Sequence, residues 1–101
     1  FDNQFSLNLQ ILNLAHNQFE TLPEKFSTLP KLKWFNISYN YLKNLVLPLE
    51  SPLKTLLATN NFLENLPSEI GKLKALEKLH LQNNQISNLP ESIGNLNALE
   101  E

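Results

Sequence analysis

The chain has 101 residues, 42% of them hydrophobic, and a formal net charge of −2, enough for one small domain with a modest core. Every basic residue is a lysine (25, 31, 33, 43, 54, 72, 74, 78), so there is no guanidinium fork for bidentate contacts to phosphate or guanine, and nucleic acid is not an expected partner. The absence of cysteine excludes disulfides, thiolate metal sites and a cysteine nucleophile, and no apolar run approaches the ~20 residues that cross a bilayer.

In chain order, residues 1–8 form a flank in which Phe1, Phe5 and Leu7 could cover a first structural unit, without a basic stretch or cleavage site of the signal-peptide kind. Four similar segments follow, at 9–31, 32–52, 53–75 and 76–98, and residues 99–101 begin a fifth. "LQILNLAHNQFETLP", "LKWFNISYNYLKNLVLP", "LKTLLATNNFLENLP" and "LEKLHLQNNQISNLP" align in register on Asn17, Asn40, Asn61 and Asn84. The second segment is two residues shorter than the others and has no glycine.

Within "LEKLHLQ", Leu79 and Leu81 alternate with polar neighbours, which predicts a strand buried on one face. Past each asparagine the chain turns and meets a proline that cannot extend a sheet ladder. "PSEIGKLKAL" and "PESIGNLNAL" then space Ile, Leu and Leu as a short helical or 3₁₀ return requires. No such unit buries its own apolar edge, so the units must stack on a shared core. The register turns Leu12, Leu14, Phe19, Leu22, Phe26 and Leu29 inward from the first unit, and Phe35, Ile37, Leu42 and Leu45 from the second. Leu56, Ala58, Leu63, Leu66, Ile70 and Leu73 follow from the third, and Leu79, Leu81, Ile86, Leu89, Ile93 and Leu96 from the fourth. Ala58 is smaller than its equivalents, and Phe62 or Phe35 is expected to fill the space beside it.

The pattern L-x-x-L-x-L-x-x-N-x-L-x-x-L-P, four times in register over residues 9–101, resembles the leucine-rich-repeat family. The tails "LPSEIGKLKAL" and "LPESIGNLNAL" are similar to the 23-residue class of Ras-suppressor-like and Scribble-like intracellular proteins and many bacterial proteins. "LVLPLESPLKTL" is closer to the proline-punctuated repeats of secreted bacterial effectors. The resemblance implies an α/β architecture: a right-handed solenoid with a curved parallel sheet on the concave face and short helical, 3₁₀ or extended returns on the convex face. It also implies a non-enzymatic module that binds a protein partner, in a cytoplasmic setting or as a secreted bacterial effector. Two alternatives are a substrate-recognition or regulatory segment of a larger enzyme, and a structural spacer.

Asn17, Asn40, Asn61 and Asn84 are expected to form a structural ladder, because an amide side chain can satisfy both donors and acceptors of a buried turn. The outward face is expected to carry partner binding through Ile11, Asn13, His16, Trp34, Asn36, Tyr39, Leu57, Thr59, His80 and Gln82. Trp34 is the expected centre, close to Ile11 and Leu57, since aromatic anchors with an apolar centre favour interfaces. No catalytic set is legible. Asp2 is the only aspartate, Gly71 and Gly94 occupy equivalent returns rather than a phosphate loop, and His16 and His80 lie three strands apart, about 14 Å, too far to share a metal. No cofactor is expected. "NIS" at Asn36–Ser38 is the only glycosylation sequon, and a glycan there would obstruct the binding face. A polar cap is expected at each end of a solenoid; residues 99–101 supply none, so end-to-end self-association or a longer array is a further expectation.

Overall fold

The computed structural model describes residues 8–100 apart from the side chain of Lys25; the expected covering role of Phe1, Phe5 and Leu7 lies outside them. Each repeat opens with a three-residue strand: β1 (Ile11–Asn13), β2 (Trp34–Asn36), β3 (Thr55–Leu57) and β4 (Lys78–His80). The four strands form one parallel sheet in sequence order. Equivalent residues pair directly, Leu12 with Phe35, Phe35 with Leu56 and Leu56 with Leu79. Beyond the strands the pairing continues through Leu14 N–H to Asn36 C=O, Ile37 N–H to Leu57 C=O and Ala58 N–H to His80 C=O, at 2.8–2.9 Å. The coils are therefore locked in register well past the short strands.

Where the chain leaves the sheet, the eighth residue of every repeat, His16, Tyr39, Asn60 and Asn83, has φ between 58° and 62°. This left-handed conformation costs an ordinary L-residue roughly 1–2 kcal/mol and is tolerated best by glycine and asparagine. Two repeats use asparagine here. Asn60→Val places a β-branched side chain at φ 58° and should lower stability by about 1–2 kcal/mol, whereas Asn60→Gly should change it by less than ~0.5 kcal/mol. Urea denaturation of the two variants compares them directly, and equal midpoints would show that the turn carries no such strain.

The turn is fastened by the asparagine ladder. Asn40 Nδ2 donates to Leu14 C=O of the preceding coil and to Ile37 C=O, both at 3.0 Å, while its Oδ1 accepts from Phe19 N–H at 3.1 Å. Asn61 donates to Ile37 C=O and accepts from Leu42 N–H. Asn84 donates to Ala58 C=O and accepts from Leu63 N–H. Asn17 bonds only Leu14 and Ala15 of its own coil among the described residues, and it is exposed. Asn40 and Asn61 are buried, and no buried side-chain nitrogen or oxygen among the described residues lacks a partner. The ladder thus meets the requirement that buried polar groups be paired.

Three returns are 3₁₀ segments, Glu24–Thr28, Ser68–Lys72 and Glu91–Asn95. Each follows a proline whose fixed φ suits the entry and whose carbonyl accepts the first i→i+3 bond, from Phe26, Ile70 and Ile93 N–H at 3.1 Å. The shortened second repeat has no helix here. It runs extended through buried Leu47 and Pro48 and closes with a Ser51 turn onto Pro48 C=O.

The core runs between sheet and returns. Leu32, Phe35, Ile37, Leu42, Leu53, Leu56, Leu63, Ile70 and Leu76 have no accessible surface, each burial contributing on the order of 1.5–3 kcal/mol. One inward expectation fails, and one open pair of alternatives narrows. Leu89 is 55% exposed although its equivalent Leu66 is 6% exposed, because Leu66 lies between two coils and Leu89 has a described coil on one side only. Phe62 does not fill the space beside fully buried Ala58. It points outward and stacks on Tyr41, ring centroids 6.0 Å apart, while Phe35 is the aromatic that is buried.

Candidate functional site

Parallel register converts equivalent positions into rows across the outward face. Ile11, Trp34, Thr55 and Lys78 form the first row, and Asn13, Asn36, Leu57 and His80 the second. Leu57 therefore stands diagonal to Trp34 rather than opposite it: Trp34 pairs with Ile11 and Thr55. Ile11 is 66% exposed and Trp34 half-buried, an apolar pair at the start of the strands.

A shallow depression of about 380 Å³ lies further along, lined by Asn13, Ala15, His16, Asn36, Ser38, Tyr39, Leu57, Thr59 and His80. It gathers seven of the expected contact residues: Asn13, His16, Asn36, Tyr39, Leu57, Thr59 and His80. Trp34 and Ile11 stand beside it, toward the strand starts, and exposed Gln82 lies in the row beyond His80. The outward face therefore carries a depression with an apolar shoulder at Trp34 and Ile11.

Several of its side chains are held in place. Asn13 and Asn36 Oδ1 each accept from the backbone N–H two residues on, Ala15 and Ser38, at 3.0 Å. Ser38 is buried, and its hydroxyl accepts from Thr59 N–H at 3.0 Å. His16 stacks on Tyr39 with ring centroids 4.4 Å apart and planes 10° from parallel. Fixed rings and amides lower the entropy lost when a partner binds. The sequon fares differently in this setting: Asn36 is a mid-sheet residue with its oxygen engaged, followed by fully buried Ile37 and buried Ser38, a poor presentation for glycan transfer.

A second groove of about 370 Å³ follows the asparagine ladder, lined by Asn17, Asn40 and Asn61, by Tyr39, Asn60 and Asn83, which precede a ladder asparagine in the chain, and by Tyr41 and Phe62, which follow one. Tyr41 and Phe62 are outward residues that the strand alternation does not reveal. The signal for them is their place directly after the ladder asparagine, where the left-handed turn has already reset the alternation. Among the described residues no group of three or more His, Cys, Asp or Glu side chains is placed to hold a metal ion, and no helix is long and apolar enough to cross a membrane.

Two family models match the chain, both described as leucine rich repeat, over residues 2–45 and 75–96. Leucine-rich repeat and calponin homology domain-containing protein 1 of Mus musculus is 46% identical over 74 residues, 72% of this chain and 10% of that protein. An adenylate cyclase of Schizosaccharomyces pombe is 38% identical over 81 residues, 77% of this chain and 5% of that enzyme. The chain thus spans a tenth or less of the length of these curated relatives. A solved leucine-rich-repeat protein of Leptospira interrogans superposes with a TM-score of 0.86 at 37% identity, over 93% of this chain and 24% of that one. Repeats of this kind are generally protein-interaction modules and generally non-enzymatic. With four coils stacked in one parallel register and matches of this kind to both sequence and structure, the chain belongs to the leucine-rich-repeat family.

Proposed function

We propose that this chain is a recognition module that binds a protein partner through its concave face, over the depression between Asn13 and His80 and the apolar shoulder of Trp34 and Ile11. The observation that carries the reading is the pre-ordered depression itself: its rings are stacked, its amides are bonded, and an exposed isoleucine stands beside a half-buried tryptophan. Exposed apolar surface rimmed by polar groups marks contact sites, and large aromatic anchors carry a disproportionate share of binding energy. Trp34→Ala should weaken a captured partner by at least about tenfold, or ~1.4 kcal/mol, while the far-ultraviolet circular dichroism and cooperative melting persist. Titration calorimetry against that partner decides it, and unchanged affinity would contradict the reading.

A second reading has its own support. One relative is an adenylate cyclase of which this chain matches 5%, so the module serves equally as the recognition or regulatory segment of a larger enzyme. Both readings use the same face.

A further inference from the structure

The chain carries ten acidic residues, yet the outward positions of all four coils, from Ile11 through His16 to Lys78 through Asn83, include no Asp or Glu. Beyond the asparagine turn the next acids are Glu20 and Glu64, each three residues past the ladder asparagine. At the opposite edge, immediately before β2 and β3, stand Lys33 and Lys54, both exposed. They are true equivalents: Lys33 N–H donates to Gln10 C=O, and Lys54 N–H donates to Lys33 C=O at 2.9 Å. Their coils are neighbours, ~4.8 Å apart, and like charges set side by side in this way disfavour the fold slightly. Neither ammonium group forms an ion pair or hydrogen bond with another described residue. The strip is two coils wide, ending at Gln10 on one side and half-buried Glu77 on the other, and it adjoins the paired Ile11 and Trp34.

We propose that the protein partner of this face presents an acidic segment, with carboxylates over Lys33 and Lys54 followed by an apolar side chain seated on Trp34 and Ile11. This rests on the concave-face reading and adds the chemistry of the partner to it. A carboxylate over Lys33 and Lys54 meets two positive charges at the edge and none of its own sign among the outward face positions. Glu77 and Glu100, next in the same edge row, repel it beyond Lys54 and confine it to the first coils, beside Trp34 and Ile11. An apolar group beside it covers surface that water now wets. Because the lysines are exposed, the charge contribution is screened by salt and acts mainly on the rate of encounter and on the choice of partner.

The test is selection of a displayed library of random unphosphorylated peptides on the immobilised chain, followed by binding of the enriched peptides to three variants. The expected peptides carry net negative charge, with Asp or Glu next to an aliphatic or aromatic residue. Their affinity should fall at least about tenfold on the Lys33→Glu/Lys54→Glu double variant and fall again from low to high salt, with circular dichroism unchanged. The Lys33→Gln/Lys54→Gln pair should lose less than the charge reversal. Enriched peptides that are neutral or basic, peptides indifferent to the lysine pair, or no enrichment at all would each overturn the proposal. Peptides that lose affinity on Trp34→Ala but ignore the lysines would overturn the acidic segment alone and leave the concave-face reading standing. Indifference to both sets of variants counts against both.

Discussion

Asn61→Leu is expected to lower stability by roughly 2–4 kcal/mol, a large share of what a chain of this size holds. Most of the loss falls on one group. Asn61 Oδ1 is the acceptor for Leu42 N–H, whereas the carbonyls it donates to have other donors: Ile37 C=O from Asn40 Nδ2 and Thr59 C=O from Tyr39 N–H. Removing the amide therefore strands a buried N–H between two coils, and leucine, though similar in volume, offers nothing to replace the acceptor. Asn17→Leu is the internal control. Its side chain is exposed and bonds only its own coil among the described residues, so the loss should stay below about 1 kcal/mol. Urea denaturation gives both values, and hydrogen exchange at the Leu42 amide should accelerate in Asn61→Leu alone. Equal midpoints for the two variants would rule out a structural ladder.

The second large effect separates two glycines that the repeat makes equivalent. A Cβ at Gly71 would lie 2.7 Å from Ser92 C=O oxygen and 2.8 Å from Ser92 Cβ, whereas a Cβ at Gly94 meets nothing within 4 Å. Neither glycine has positive φ, so the difference is one of space, not backbone conformation. The Ser68–Lys72 and Glu91–Asn95 returns press together at this point, where Ser92 Oγ also donates to Ser68 C=O at 2.6 Å. Since the obstructing oxygen is backbone, the two coils must part to admit a methyl group. Gly71→Ala should cost about 1–3 kcal/mol. Gly94→Ala should be neutral or stabilise by up to ~1 kcal/mol, by restricting the unfolded chain. Thermal melts that shift equally for both would show that the contact is not limiting.

Much of this was legible in residue spacing. Period-two leucines around Leu79 and Leu81 assigned the inward face, four in-register asparagines assigned the turn, and the repeat shortened by two residues is the one whose return has no 3₁₀ segment among the described residues. Spacing failed where it carries no information about neighbours. Leu66 and Leu89 occupy the same position, and only the number of coils packed against each separates their burial. Past the left-handed residue spacing assigned Leu42 and Leu63 inward, and both are fully buried. A residue near φ 60° resets the alternation, however, so spacing did not show what Tyr41 and Phe62 do on the outside. Both line a groove. Within the face, alternation identified which side chains point outward, but not that Asn36 and Ser38 spend their oxygens on the backbone, nor that Leu57 sits diagonal to Trp34. Those depend on side-chain rotamers and on the strand offset at each coil.

The central claim is that recognition occurs on the concave face. It is tested most directly by immobilising the chain, Trp34→Ala and a convex-face control, Glu69→Ala, and comparing quantitatively the proteins each retains from a lysate of the native cell. Glu69 is exposed on the third repeat's 3₁₀ return, on the far side of the molecule from the strands' outward residues. The concave-face account predicts that Glu69→Ala retains the same proteins as the unaltered chain while Trp34→Ala loses them by about tenfold or more. Equal retention by Trp34→Ala, with loss confined to the convex variant, would contradict it.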